Sequence, residues 1–383
     1  MRRVLFRVAH SLQLFFLYSS FFIFDRIFPR EKKTDYVVGV EEIASVLHNL
    51  SMSLPGAVSV CLFRNPYYSF KYEYSLGTLS SHVSRFILGP FLLGFFAARY
   101  RKFIYVGGNG FLFSQCDGRF KEFEFIKKRG GVIVCYFTGS EIRSFKLLNA
   151  YAKQRHIDVI TTYQPISSRG IDSPVKEERR KALALSADKF ADVIFNPSTD
   201  QMSYMSRETF PFLYFYPDEN IRRAPCKWKD TTLPVIVHAP SSPLIKGTPL
   251  VRAAIKKLML DGYDFEYIEL IGVPHSTVLE TINRAHIVLN EFYAFVPGVF
   301  GVEAMAANAV LLTSADRGIE PTLFEGANEA WVVTPYWMIY ENLKLQLDHP
   351  DALQDQADRG TSWVREYCSY SASSARFREY VDA

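Results

Sequence analysis

Short β-rich runs recur along this chain with helix-like stretches between them, and few folds accommodate that order. From residue 36 the runs are YVVGV, AVSVCLF, FIYVGG, GVIVCYF, DVITTY and DVIFNP. Such alternation predicts an α/β domain built on a mainly parallel sheet. Residues 210 to 233, rich in proline and mixed charge, interrupt the pattern as an interdomain linker does. A second series follows: strands PVIVHAP, FEYIELIG, HIVLN, AVLLT and AWVV, with helices GTPLVRAAIKKLMLDG and VEAMAAN between them. In the first of these helices Thr248 is placed to cap and Pro249 to occupy the first turn. A length of 383 residues allows two or three domains. The expected division is an amino-terminal segment (1–30), a first Rossmann-like domain (31–217), a linker (218–233), a second Rossmann-like domain (234–365) and a terminal helix packing back on the first domain (366–383).

Charge divides at the same place. Residues 1–217 carry a net +11 and residues 218–383 a net −7, for +4 overall. A basic half of this kind suits phosphates or anionic lipid. Nucleic acid is disfavoured as a partner because the basic residues are dispersed and no recognised nucleic-acid motif accompanies them. Five scattered cysteines with no CxxC or Cys/His spacing fit a reducing compartment, with Cys61 and Cys135 as small buried hydrophobes.

Aromatic residues crowd the first 125 positions. Ser11 to Phe24 run 14 residues without a charge, about 21 Å as a helix and short of a bilayer core of about 30 Å. No small-residue cleavage site follows, which argues against a signal peptide. A second charge-free run, Phe86 to Ala98, is framed by Arg85, Arg99, Arg101 and Lys102. Pro90 and two glycines argue against its being a simple spanning helix. Together the two runs predict peripheral attachment to an anionic membrane surface.

Two segments carry recognisable chemistry. In Ala285–Ser314 a strand ends at Asn290, a glycine-bearing loop follows, and a helix starts around Val299–Val302 with Glu303 in its first turns; its amino terminus, with Gly298 and Gly301 before it, can offer N–H groups to a diphosphate. Glu303, an acceptor-only group, suits sugar hydroxyls, although it can equally complement the helix dipole. In HAPSSPLIKGT, residues 238–248, Lys246 beside Gly247 can meet a phosphate, with Ser241 and Ser242 offering hydroxyls. His238 and His275 are candidate acid/base groups. GxxxxGK[ST] and GxGxxG are absent, which disfavours a P-loop enzyme and a dehydrogenase. Asp-x-Asp is absent too, which disfavours a metal-dependent transferase.

These segments, in this order, resemble the carboxy-terminal domain of group 1 glycosyltransferases, which are retaining enzymes of GT-B fold that use nucleotide sugars. HAPSSPLIKGT is similar to the family's diphosphate loop, GVPHSTVLETINRAHIVLNEFY to the helix and strand before the donor site, and GVFGVEAMA to the donor-site glutamate motif; the likeness covers about residues 234–335. GVIVCYFTGSEIRS, residues 131–144, resembles the strand and cleft loop of the amino-terminal domain. The resemblance implies a GT-B architecture of two Rossmann-like domains facing a central cleft. It implies Lys246 on the diphosphate and Glu303 on the ribose, within a donor site that includes His238, Ser241, Ser242, Gly247, His275, Gly298 and Gly301. Gly139, Ser140, Glu141 and Arg143 would face the acceptor. No cofactor or metal is implied, because the nucleotide sugar is a substrate. The implied activity is hexosyl transfer to a lipid-linked or oligosaccharide acceptor in capsule, lipopolysaccharide or other cell-surface polysaccharide synthesis, on the cytoplasmic face of the plasma membrane.

Three positions depart from the family pattern. Phe295 stands where a second donor-site glutamate is common, Thr138 where a histidine is, and Ser241 where an arginine is. Glu291, four residues before Phe295, is the candidate replacement carboxylate. An inactive GT-B membrane scaffold that keeps a nucleotide site is the alternative reading.

Overall fold

The computed structural model describes residues 2–28, 33–63, 68, 70–113, 117–166, 173–221, 227–229 and 233–382. Cys116, Cys226 and parts of the expected amino-terminal segment and linker lie outside them. Chain order in the first half is α1 (Arg2–Ile27), β1 (Lys33–Val40), α2 (Val46–Ser53), β2 (Val58–Cys61), β3 (Tyr74–Ser75), α3 (His82–Arg99), β4 (Tyr100–Val106), α4 (Phe120–Lys127), β5 (Val132–Tyr136), α5 (Phe145–Arg155), α6 (Pro174–Phe190) and β6 (Val193–Phe195). The second half runs β7 (Val235–His238), α7 (Thr248–Leu260), β8 (Glu266–Glu269), α8 (His275–Ile282), β9 (Ile287–Leu289), α9 (Gly298–Ala306), β10 (Val310–Thr313), α10 (Ala327–Ala330), β11 (Val332–Val333), α11 (Ile339–Asp348), α12 (Leu353–Tyr367) and α13 (Tyr370–Asp382).

Two parallel sheets result, of order β3-β2-β1-β4-β5-β6 and β11-β10-β9-β7-β8. The apolar runs read from the sequence supply their central strands, buried on both faces by the helices that connect them. The terminal helix α13 returns to the first sheet. Phe377 stacks on Phe195 at 5.4 Å, Tyr36 donates its hydroxyl to Asp382, and Lys102 pairs with Asp382 at 2.7 Å. The chain therefore closes on itself, with its last helix on the domain it began with.

Two local expectations are corrected. DVITTY is a turn rather than a strand: the Val159 N–H donates to Thr162 Oγ1 and the Thr162 N–H to the Val159 carbonyl, local bonds that compete with strand pairing. At the start of α7 the cap is Gly247, at φ 80°, and Thr248 is the first helical residue with its hydroxyl turned to His238. The three cysteines within the described residues, Cys61, Cys135 and Cys368, are buried and unpaired.

The two charge-free runs form one helical pair. Proline 90 sits inside α3 without breaking it. Proline has no N–H, so the Phe86 carbonyl, four residues earlier, loses its helical donor. Gln13 of α1 replaces that donor: its Nε2 bonds the Phe86 carbonyl at 3.1 Å, while its Oε1 accepts the Phe113 N–H at 2.9 Å. Gly94 lets the helices approach, because a Cβ there would lie 2.8 Å from the Phe21 nitrogen and 3.0 Å from the Leu17 carbonyl. α1 is therefore a structural part of the first domain. Gln13→Leu should orphan two buried backbone groups at about 1–3 kcal/mol each, measured as a lower melting temperature of the full chain; an unchanged melting temperature would remove Gln13 from this role.

Candidate functional site

In open α/β sheets ligands bind where successive connections leave in opposite directions, at the carboxyl ends of the strands. In the second sheet that point lies between β7 and β9, and in the first between β1 and β4. The segments singled out from the sequence fall at the first of these points. HAPSSPLIKGT leaves β7, and Asn290 and Glu291 end β9.

Lys246 and Glu291 meet there as an ion pair. Glu291 is only 4% exposed, and burial raises its pKa more than Lys246 lowers it. The α9 amino terminus lies beside the pair. Gly298, at φ 64°, leaves room where a Cβ would stand 3.0 Å from Glu291 Oε1, and Asn290 Nδ2 bonds the Pro297 carbonyl at 2.7 Å. The Gly298 N–H donates to the Tyr214 hydroxyl at 3.2 Å, and residues 298–300 remain half-buried rather than covered. Gly301 sits tightly against Asn290 and Leu311, so it serves packing. One turn further along, buried Glu303 accepts a hydrogen bond from His275 Nε2 at 2.8 Å. That bond raises the pKa of His275 against the effect of burial. The Tyr68 ring, from the first domain, stands edge-on to His275 at 6.2 Å.

His238 has a different role from the one expected of it. It is fully buried, donates from Nδ1 to the Leu289 carbonyl at 2.8 Å and accepts the Thr248 hydroxyl at Nε2, while burial lowers its pKa to about 4. It therefore ties β7, β9 and α7 together and is closed to a ligand. Ser242 is buried, and its carbonyl accepts the Lys246 N–H. Ser241 is exposed.

The loop expected to face the acceptor divides likewise. Glu141 folds back to accept from the Thr138 and Gly139 N–H groups and the Thr138 hydroxyl, closing its own turn. Gly139, at φ 151°, has the backbone freedom this turn uses. Ser140 is exposed, and its carbonyl accepts Arg180. Arg143 is buried and directed to Asp200, with Nη2 on Oδ2 at 2.5 Å and Nε on the backbone carbonyl at 2.6 Å.

Asp200 was not foreseen from the sequence, and it joins the domains. Its other oxygen accepts the Phe295 N–H at 2.8 Å. The Phe295 side chain enters the first domain among Leu148, Ala152 and Val159. In the opposite direction Glu320, fully buried, accepts the N–H groups of Ser198, Thr199 and Asp200 at 3.0, 2.7 and 2.8 Å. The available signal was the polar tail NPSTD directly after the strand run DVIF. Glu41, at the end of β1, was also passed over. It accepts Asn109 Nδ2 at 2.6 Å at the first sheet's switch point, and burial raises its pKa.

The arrangement can bind an anion at the α9 amino terminus with Lys246, and hydroxyls on Glu303 and Glu291. Among the described residues no group of three or more His, Cys, Asp or Glu side chains is placed to hold a metal ion.

The sequence matches no protein-family model and no curated protein. The fold is similar to that of sucrose-phosphate synthase from Thermosynechococcus elongatus (TM-score 0.55, 13% identity, covering 91% of this chain and 98% of that one). It is also similar to trehalose-6-phosphate synthase (TM-score 0.51, 10% identity, 91% and 99% covered). A third similar structure is WaaG, a glycosyltransferase involved in lipopolysaccharide biosynthesis (TM-score 0.50, 10% identity, 92% and 100% covered). The architecture is GT-B, with two Rossmann-like domains facing a cleft.

Two outcomes follow from this geometry. Phe295→Ala should cost about 3–5 kcal/mol as a large-to-small core change, and Asp200→Ala a similar amount by leaving Arg143 buried without its partner, both read by denaturant unfolding; losses typical of surface positions would contradict the interdomain contact. His275, with a raised pKa, stabilises the fold fully below its ordinary value of 6.5 and stops doing so as pH rises past the raised value. His275→Gln should therefore be less stable than wild type in acid, with the gap closing above neutrality, and a gap independent of pH would contradict the pairing.

Proposed function

We propose that the chain is a glycosyltransferase that moves a hexosyl group from a nucleotide sugar to a lipid-linked or growing glycan acceptor. The observation that carries this reading is the convergence of Lys246, Glu291, the α9 amino terminus and the His275–Glu303 pair at the switch point of the second sheet. Negative charge grows on the diphosphate as the glycosidic bond breaks. The groups present to stabilise it are the N–H groups and dipole of α9 and the ammonium of Lys246, with no metal required. Lys246 is held by Glu291 and would exchange that partner for the diphosphate. Glu303, oriented by His275, would accept the ribose hydroxyls. Glu291, released from Lys246, would stand at the sugar in the role that Phe295 cannot fill.

Retention of anomeric configuration is part of the proposal, supported by the likeness to trehalose-6-phosphate synthase, which is described as transferring with retention. So is a place in cell-surface polysaccharide synthesis at the cytoplasmic face of the membrane, in keeping with the likeness to WaaG. The inactive scaffold stays as a second reading because Phe295 is committed to the first domain and offers no carboxylate to a donor.

In a thermal-shift series with UDP, GDP, ADP and CMP, one nucleotide should stabilise the wild type. The shift should disappear in Glu303→Ala and Lys246→Ala. An unchanged shift in both variants would refute the site, and a shift without any slow hydrolysis of the matching nucleotide sugar would favour the scaffold.

A further inference from the structure

We infer that the paired helices α1 and α3 form an in-plane docking face for an anionic bilayer, and that α1 lies on the membrane without crossing it. This deepens the proposed function by naming the surface that would bring the enzyme to a lipid-linked acceptor, and it rests on that reading only for its purpose.

The face is one-sided. On α1, Gln13, Leu17 and Ser20 point inward and are buried, while Leu12, Phe15, Phe22 and Ile23 point outward and are 47–65% exposed. On α3, Val83 and Ile87, one turn apart, are 70% and 46% exposed. The two stripes meet where Phe24 packs edge-on against Phe91 at 5.2 Å. Side by side, they make a continuous apolar surface of a kind that soluble monomers seldom present to water.

Length and composition alone would allow Val8–Ile27 to span a membrane. The inner face of α1 argues otherwise. Gln13 supplies the donor that Pro90 denies to the Phe86 carbonyl and accepts the Phe113 N–H. The helices also touch backbone to backbone at Gly94. A spanning α1 would have to abandon these bonds and carry Gln13 into hydrocarbon, whereas a helix lying on the surface keeps them and buries only its outer stripe.

Charge selects the occupant. Arg26 ends α1 over the Phe22 ring at 3.7 Å, and Arg85 and Arg99 stand near the two ends of α3. Between residues 81 and 101 there are three basic residues, Arg85, Arg99 and Arg101, and no acidic one, and α1 contains a single acid, Asp25. A cationic rim around an apolar face complements anionic headgroups above acyl chains. A second copy of the chain fits worse, since a two-fold contact would set these cations against one another.

The test is co-sedimentation of the full chain, without nucleotide, with phosphatidylcholine vesicles that contain or lack phosphatidylglycerol. The wild type should pellet with the anionic vesicles only and be released by high salt and by alkaline carbonate. A Phe15→Glu, Ile23→Glu, Ile87→Glu variant with wild-type melting behaviour should lose at least about tenfold in binding. Leu260→Glu, at a more exposed apolar position on the second domain, should lose none. No binding, or equal binding to neutral vesicles, would overturn the inference. Resistance to carbonate would overturn it in favour of a spanning α1, and a lipid-free dimer abolished by the triple substitution in favour of a second copy. Because no nucleotide is present, failure here leaves the thermal-shift result standing, and the reverse holds.

Discussion

Each domain buries a carboxylate in the backbone of the other, and the geometry of the cleft depends on that exchange. Asp200 of the first domain accepts the Phe295 N–H from the second, and Glu320 of the second accepts three consecutive N–H groups, of Ser198, Thr199 and Asp200, from the first. A buried carboxylate left without donors is costly, so the two contacts favour the docked arrangement over a separated one. Arg143 completes the arrangement by pairing with Asp200 from the first sheet's cleft loop. The loop between β9 and α9 is in consequence held from both domains.

This explains how Phe295 can stand at the position where the resemblance to group 1 glycosyltransferases implies a donor-site glutamate. Phe295 is a contact between domains, and the buried carboxylate Glu291, four residues earlier on the same loop, sits against Lys246. The ion pair keeps a buried acid and a half-buried ammonium compensated in the absence of ligand. A diphosphate arriving at the α9 amino terminus would compete with Glu291 for the same ammonium. On the proposed reading, donor binding and the freeing of Glu291 would be one event.

Legibility in the sequence followed the range of the interactions. Strands whose apolar runs fill a sheet were readable, and so was the placement of Gly298, Lys246, Glu291 and Glu303 at strand ends and a helix start, because strand-end loops and helix starts have local signatures. DVITTY misled because its composition suits a strand while Thr162 bonds back to Val159 within the segment. Thr248 misled as a cap because the hydroxyl that could cap α7 instead bonds His238, ten residues earlier. His238 looked like a ligand group because its burial depends on the β7, β9 and α7 contacts, which no local pattern encodes. How α3 accommodates Pro90 was not readable, because the group that supplies the missing hydrogen bond, Gln13, lies in another helix. The partners of Asp200 and Glu320 were not readable for the same reason: they lie 95 and 122 residues away.

The most direct test is a crystal structure of the chain with a bound nucleoside diphosphate. The expected result is a diphosphate on the α9 amino terminus with Lys246 turned from Glu291 to its oxygens, the ribose on Glu303, and Phe295 still seated in the first domain. A nucleotide bound elsewhere, or one bound at the cleft while Lys246 remains on Glu291, would contradict the assignment of this site.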